Sequence, residues 1–141
     1  MNADRARELF ASARVARLAT VGSDGRPHLV PITFALLDPD TLVSAVDHKP
    51  KRTMALRRLL NIATNPAVTV LADHYEEDWG RLWWVRADGS AAVGQPGAEP
   101  SRRAAALSAL AARYPQYVDQ PPAGPVIVVR VERWSGWAGA A

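Results

Sequence analysis

The chain's two lysines, Lys49 and Lys51, fall in one run, Lys49-Pro50-Lys51-Arg52-Thr53, and its remaining lysine-or-arginine positions are all arginine. The run sits where a strand-like stretch, 41–47, gives way to a helix-like one, 53–60. The first turn of a helix presents unpaired backbone N–H groups and partial positive charge, which favours acidic residues there. Three cations at such a point are accounted for by an anion docked among them, and phosphate is the usual guest. The alternative is a solvated basic loop whose mild self-repulsion is screened at physiological salt.

Other chemistries find less support. The three histidines, His28, His48 and His74, lie on different predicted elements and show no metal-ligand spacing. Glu76-Glu77-Asp78 reads as a solvated acidic loop, because no second acidic cluster with ligand spacing accompanies it. There is no Gly-rich dinucleotide fingerprint, Walker loop or Gly-x-Ser-x-Gly elbow. The absence of cysteine removes disulfides, thiolate nucleophiles, iron–sulfur clusters and cysteine zinc sites. With 17 basic and 14 acidic residues the net charge is +3, too small an excess to argue for nucleic acid. The N-terminus lacks the apolar core of a signal peptide and no apolar run reaches membrane-spanning length, so a cytoplasmic protein is expected.

The elements that must position the basic run follow from hydrophobic period and turn residues. A short amphipathic helix is predicted over 4–13, then a strand over 14–21, a turn at Gly22-Ser23-Asp24-Gly25, and a return strand over 28–37. Pro31 inside that return strand cannot donate to a ladder, so it marks an edge, a bulge or a place where a ligand replaces the neighbouring strand. Asp38-Pro39-Asp40 turns into the third strand, 41–47, and the helix after Lys51 ends near Asn65-Pro66. Further strands are predicted over 67–72, 81–86 and 125–134, with an alanine-rich helix from about Pro100 to Tyr114 and an irregular proline-rich stretch over 115–125. Taken locally, Asp88-Gly89 looks like a hairpin turn. Six short strands with hairpin signals and no dividing linker predict a mainly β fold, one domain over 1–141 built as a small antiparallel barrel with peripheral helices.

All five tryptophans lie in two places: Trp79, Trp83 and Trp84, then Trp134 and Trp137. Neighbours in a strand project to opposite faces, so Trp83 and Trp84 cannot both enter one barrel interior. At least one must cover an outer surface, which for so large an aromatic suggests a subunit interface or a ligand platform. A cation cluster at a helix start, a proline-interrupted strand and surplus aromatic surface, without a catalytic side-chain constellation, suit a protein that holds a reactive cofactor.

Three groups of residues carry a resemblance: Arg17-Leu18-Ala19-Thr20 with Asp24-Gly25-Arg26-Pro27-His28 and Pro31-Ile32; the basic run with Leu56-Arg57-Arg58 and Asn65-Pro66-Ala67-Val68-Thr69-Val70-Leu71; and Asp73-His74-Tyr75 with Asp78-Trp79 and Arg81-Leu82-Trp83-Trp84-Val85. Together they resemble the pyridoxamine-5'-phosphate-oxidase-like flavin-binding split barrels, and within them the probable deazaflavin (coenzyme F420)-dependent branch of actinobacteria. The resemblance implies a six-stranded antiparallel split β-barrel, homodimeric, with two cofactor sites in the dimer interface. Val30, Pro31, Ile32 and Thr33 would lie along the cofactor ring, with Ser44 and Ala45 nearby. Lys49, Lys51, Arg52 and Thr53 would take the phosphate, and Trp79, Arg81 and Trp83 would reach the site from the other subunit. The resemblance also implies one strand bent at a glycine bulge through Asp88-Gly89, against the local hairpin signal. Flavin mononucleotide enzymes of the family usually carry a base on the second strand where this chain has Thr33. The implied activity is an F420-dependent transfer of hydride to a small electron-poor substrate, with the cofactor carrying the chemistry and no catalytic side chain. An oxidoreductase using flavin mononucleotide (FMN), or a non-catalytic cofactor-binding protein, are the alternatives. Neither nucleic acid nor membrane is an expected partner.

Overall fold

A computed structural model of the chain describes residues 1–46 and 52–140, with the backbone alone over 52–56. The chain runs α1 (Ala3–Ser12), β1 (Ala16–Val21), β2 (Pro27–Ile32), β3 (Ala35–Asp38), β4 (Thr41–Ala45), α2 (Arg52–Thr64) and β5 (Ala67–His74). A single 3-10 turn, Trp79–Arg81, then leads to β6 (Trp83–Gly94), α3 (Pro100–Arg113), α4 (Gln116–Asp119) and β7 (Val126–Ala138). The strands form an antiparallel sheet in the order β2-β1-β5-β6-β7-β4-β3. Its two outermost strands, β2 and β3, are consecutive in the chain and separated only by Thr33 and Phe34. The sheet therefore curls back on itself as a split barrel.

Seven strands stand where six are expected, because the predicted strand over 28–37 is two. Its first part ladders onto β1 and its second onto β4, on opposite sides of the sheet. At the break, side chains take the backbone groups that a ladder would otherwise use. The Phe34 N–H donates to Tyr114 Oη at 3.1 Å, and Ser44 Oγ donates to the Thr33 carbonyl at 2.7 Å. The stretch over 115–125, expected to be irregular, contains the short α4. Both β6 and β7 run well past their predicted ends. β6 passes straight through Asp88-Gly89, where its register with β7 shifts, as the glycine-bulge expectation requires and the hairpin signal does not. Gly89 is needed for close approach: a Cβ there would lie 2.1 Å from the Arg130 carbonyl oxygen.

Alternation along each strand sorts the side chains. Leu18, Val30, Ile32, Val70, Val85 and Val129 fill the interior. α1 inserts Phe10, whose ring lies 4.8 Å from that of Phe34 and edge-on to Trp134 at 5.3 Å. α1 is also tied to the β3–β4 turn, since Asp40 Oδ1 accepts from Arg7 Nη2 at 2.8 Å and from Trp134 Nε1 at 2.9 Å. α3 and the Tyr114 that follows it pack Ala106, Leu110 and the Tyr114 ring against Val43 and Val126.

Candidate functional site

The site predicted along the cofactor ring centres on the β2–β3 break. Val30 and Ile32 point into the core, Pro31 lies exposed on the outer side, and Ala45 is buried at the end of β4. β2 is an edge of the sheet, so one row of its backbone groups has no neighbouring strand, which is what Pro31 signals. Thr33 ends this row. Its Oγ1 lies 2.8 Å from Tyr117 Oη, and its carbonyl is held by the fully buried Ser44. Tyr114 stacks edge-on against Tyr117 at 5.8 Å and takes the Phe34 amide. The structure thus brings Thr33 and Ser44 together and fixes both.

Lys49 and Lys51 lie outside the described residues. Arg52 and Thr53 open α2 by backbone position, their side chains lying outside the description. The two phenols at the break, Tyr114 and Tyr117, escape sequence reasoning. The signal that could have found them is Tyr114-Pro115-Gln116-Tyr117, two aromatics one helical turn apart at the end of an amphipathic helix.

The second predicted group sits on the β5–β6 connection. His74 Nε2 lies 2.7 Å from Glu76 Oε1, and Arg81 Nε lies 3.4 Å from the same oxygen. The His74 hydrogen bond, helped by Arg81, holds the Glu76 carboxyl below its ordinary range. Asp78 caps the following turn by accepting from the Gly80 amide at 3.0 Å. Trp79 projects from this ordered loop with 76% of its surface exposed. Trp83 instead turns inward onto the core, beside Val85 and Ala87. Its neighbour Trp84 takes the outer face, as strand alternation demands. There it lines an open groove of about 450 Å³ with Leu29, Leu71, Tyr75 and the Arg17–Asp73 ion pair. Arg86 lies over the Trp84 ring at 5.8 Å. Among the described residues, no hydrogen bond, ion pair or ring contact joins Trp79, Arg81 or Trp83 to Thr33 or Ser44. Within one chain the predicted site residues form two groups.

The sequence profile of the family described as pyridoxamine 5'-phosphate oxidase matches residues 3–138. The chain belongs to this family. The fold of this family member is accordingly the flavin-binding split barrel. No curated protein matches the sequence. Solved structures do. A conserved hypothetical protein of Mycobacterium tuberculosis is 23% identical with a TM-score of 0.75, the match covering 98% of this chain and 85% of that one. A FAD-binding protein of Mesorhizobium loti is 23% identical, TM-score 0.70, covering 96% and 94%. A heme binding protein of Mycobacterium smegmatis is 28% identical, TM-score 0.68, covering 97% of this chain and 54% of that protein.

Proposed function

We propose that the protein is a deazaflavin (coenzyme F420)-dependent oxidoreductase acting on a small electron-poor organic molecule. Membership of the pyridoxamine 5'-phosphate oxidase family supports a flavin-type cofactor. The observation that carries the choice of deazaflavin is the strand break. There Thr33, its hydroxyl 2.8 Å from Tyr117 Oη, stands where the FMN enzymes that this chain resembles usually carry a base.

The residues present suit such a ring. The unpaired edge of β2 from Leu29 to Thr33 offers backbone donors and acceptors to a planar heterocycle, and Pro31 removes one competing N–H. Ser44 holds the Thr33 carbonyl, so this edge is ordered before a ligand arrives, which lowers the cost of binding. The run Lys49 to Thr53 would receive the phosphate at the start of α2. A bound deazaflavin would supply the hydride, and the chain would supply orientation and exclusion of water. Trp79 and Arg81 would complete the site from a second copy. The apolar groove, flanked by the Arg17–Asp73 pair and by Arg86, would be the face for that copy.

Parallel fluorescence titrations with coenzyme F420, FMN and heme test this proposal. F420 should bind at least tenfold tighter than FMN, about 1.4 kcal/mol. Lys51→Ala with Arg52→Ala should weaken it on the order of a hundredfold or more, two charge-assisted contacts at about 1.5–3 kcal/mol each. Equal or reversed affinities favour FMN, the second reading. Tight F420 binding without acceleration of activated-alkene or quinone reduction favours a non-catalytic cofactor-binding protein.

A further inference from the structure

The end of the barrel nearest the β1–β2 turn is covered by α2, which packs Ile62 and Leu59 on the core and also makes a polar contact there. Asn61 Nδ2 of α2 donates to Thr20 Oγ1 of β1 at 3.0 Å, and both residues are buried. Thr20 stands opposite His28 in the β1–β2 ladder, and directly opposed residues project from the same face. His28 is in phase with the interior residues Val30 and Ile32. Arg57 and Arg58 precede Asn61 by one turn of α2 and so lie over the same helical face. The β1–β2 turn packs here too: Asp24 Oδ1 and Asn61 Oδ1 lie 3.0 and 3.1 Å from where a Gly22 Cβ would stand.

Among the described residues, this layer gathers positive charge without a counter-ion. Burial, then the nearby Arg58 and Arg57, hold the His28 imidazole below its ordinary range. Arg58 is half-buried, and that burial pushes its guanidinium pKa down. No ion pair reaches Arg57 or Arg58 among the described residues. Arg58 Nε and His28 Nδ1 are both enclosed without a hydrogen-bond partner. The one acid of the adjoining turn, Asp24, directs Oδ1 to the Arg26 amide at 3.0 Å. Removing a guanidinium from water without an anion is strongly unfavourable, and enclosed polar atoms left unpaired are rare in folded proteins.

We infer that this end of the barrel is an anion-binding site in which Arg58 and His28, with Arg57 at its rim, receive a phosphate, sulfate or carboxylate group. An oxyanion seated here would accept from Arg58 Nε–H and from a protonated His28 Nδ1–H, the two enclosed unpartnered atoms, and each such bond would be charge-assisted. The site stands on residues other than the run Lys49 to Thr53 and does not depend on which cofactor the protein takes. Binding is coupled to proton uptake. The anion stabilises the imidazolium, so occupancy raises the His28 pKa and affinity grows as pH falls.

The probe is inorganic sulfate, whose charge is constant between pH 5 and 8, at ionic strength fixed with chloride. The imidazole signals of the full chain are followed by NMR, with His28 assigned through His28→Gln. His74, tied to Glu76, is the reference, and His48, beside Lys49 in sequence, reports the basic run. Sulfate should raise the apparent His28 pKa by at least about one unit and bind at least about threefold tighter at pH 5.5 than at 7.5. The response should persist in Lys51→Ala with Arg52→Ala, where cofactor binding is expected to fall, and disappear in Arg58→Gln. A His28 signal unmoved by sulfate overturns the inference. So does a response lost in the Lys51–Arg52 double variant, which would assign the anion to the basic run. Because the wild-type and double-variant titrations suffice to decide, a poorly folded Arg58 variant does not shield the inference.

Discussion

Tyr114→Phe removes one oxygen and leaves every ring contact in place. The ring keeps its edge contact with Tyr117 at 5.8 Å and stays beneath the guanidinium groups of Arg14 and Arg113. What is lost is the acceptor for the Phe34 N–H at 3.1 Å. The hydroxyl's own donated bond, to the Phe34 carbonyl at 3.1 Å or to that of Arg14 at 3.0 Å, goes with it. Phe34 is fully buried, so water cannot readily replace the missing acceptor. An orphaned buried N–H costs about 1–3 kcal/mol and the donated bond about 0.5–1.5 kcal/mol, together about 2–4 kcal/mol. At about 2.1 cal/mol/K of unfolding entropy per residue, a chain of 141 residues loses about 3–4 °C of Tm per kcal/mol. The expected fall is therefore about 7–14 °C.

Tyr117→Phe is the matched control. It breaks one hydroxyl–hydroxyl contact of 2.8 Å at a part-buried site and should cost about 0.5–1.5 kcal/mol, or about 2–5 °C. Differential scanning calorimetry reads both. Hydrogen exchange at the Phe34 amide adds a local readout, expected to speed up in Tyr114→Phe and to change little in Tyr117→Phe. A Tm loss below about 3 °C for Tyr114→Phe, or one no larger than that of Tyr117→Phe, refutes the claim that the phenol holds the strand break.

Gly89→Ala should destabilise by at least about 2 kcal/mol, because the added Cβ meets backbone atoms of Arg130 that no rotamer change can move. Gly25→Ala, open on all sides but at φ +79°, should cost only about 1 kcal/mol in a denaturant titration. Hydrogen bonds from Trp134 and Arg7 hold the Asp40 carboxyl below its ordinary value, so its contribution is present above about pH 3.9 and fades as pH falls through the lower folded value. With its side chain 49% exposed that contribution is under about 1 kcal/mol, and the stability gap between wild type and Asp40→Asn should narrow on acidification below about pH 4 in urea titrations. Leu29→Arg places a charge on an exposed edge-strand residue of the outer groove; if two copies dock through that face as proposed, the variant should sediment as the 15.3 kDa monomer, and its Tm should fall because association no longer stabilises the fold.

Local pattern made much of this fold legible. The strands at 16–21, 41–45 and 67–74 follow from runs of β-branched and apolar residues bounded by turns, and the opposite fates of Trp83 and Trp84 follow from the pleat alone. The break at Thr33-Phe34 is not local. The run from His28 to Leu37 is continuously strand-like, and what divides it is a hydroxyl from residue 114. Asp88-Gly89 shows the reverse limit. The dipeptide fits a tight turn as well as a bulge, and only the approach of Arg130 from β7 decides between them. The short α4 and the far end of β7 hide behind Pro115 and Gly136, residues that read as breakers until their neighbours are in place. For the candidate site, the family resemblance names Thr33 and Ser44, and the structure joins the two by a hydrogen bond. Tyr114, Tyr117 and the His28–Arg58 layer were not legible, because each acquires its role from an element distant in sequence.

The division of the predicted site into two groups has one geometric cause. β2 presents its free edge at the strand break, while the Trp79–Arg81 turn stands off the β5–β6 end of the sheet with its indole in solvent. That turn is nevertheless held in shape by Asp78 on the Gly80 amide and by Glu76 between His74 and Arg81. An exposed tryptophan on an ordered turn, together with an apolar groove on the same chain, is unfavourable surface for a solitary chain and favourable surface for an associated one. The dimer and the shared cofactor site are thus a single expectation. The groove that would bury Leu29, Leu71 and Trp84 between two copies adjoins the β2 edge through Leu29. If the copies do not associate, Trp79 and Arg81 have no route to the ring, and the cofactor would have to be held by the strand edge and the basic run alone.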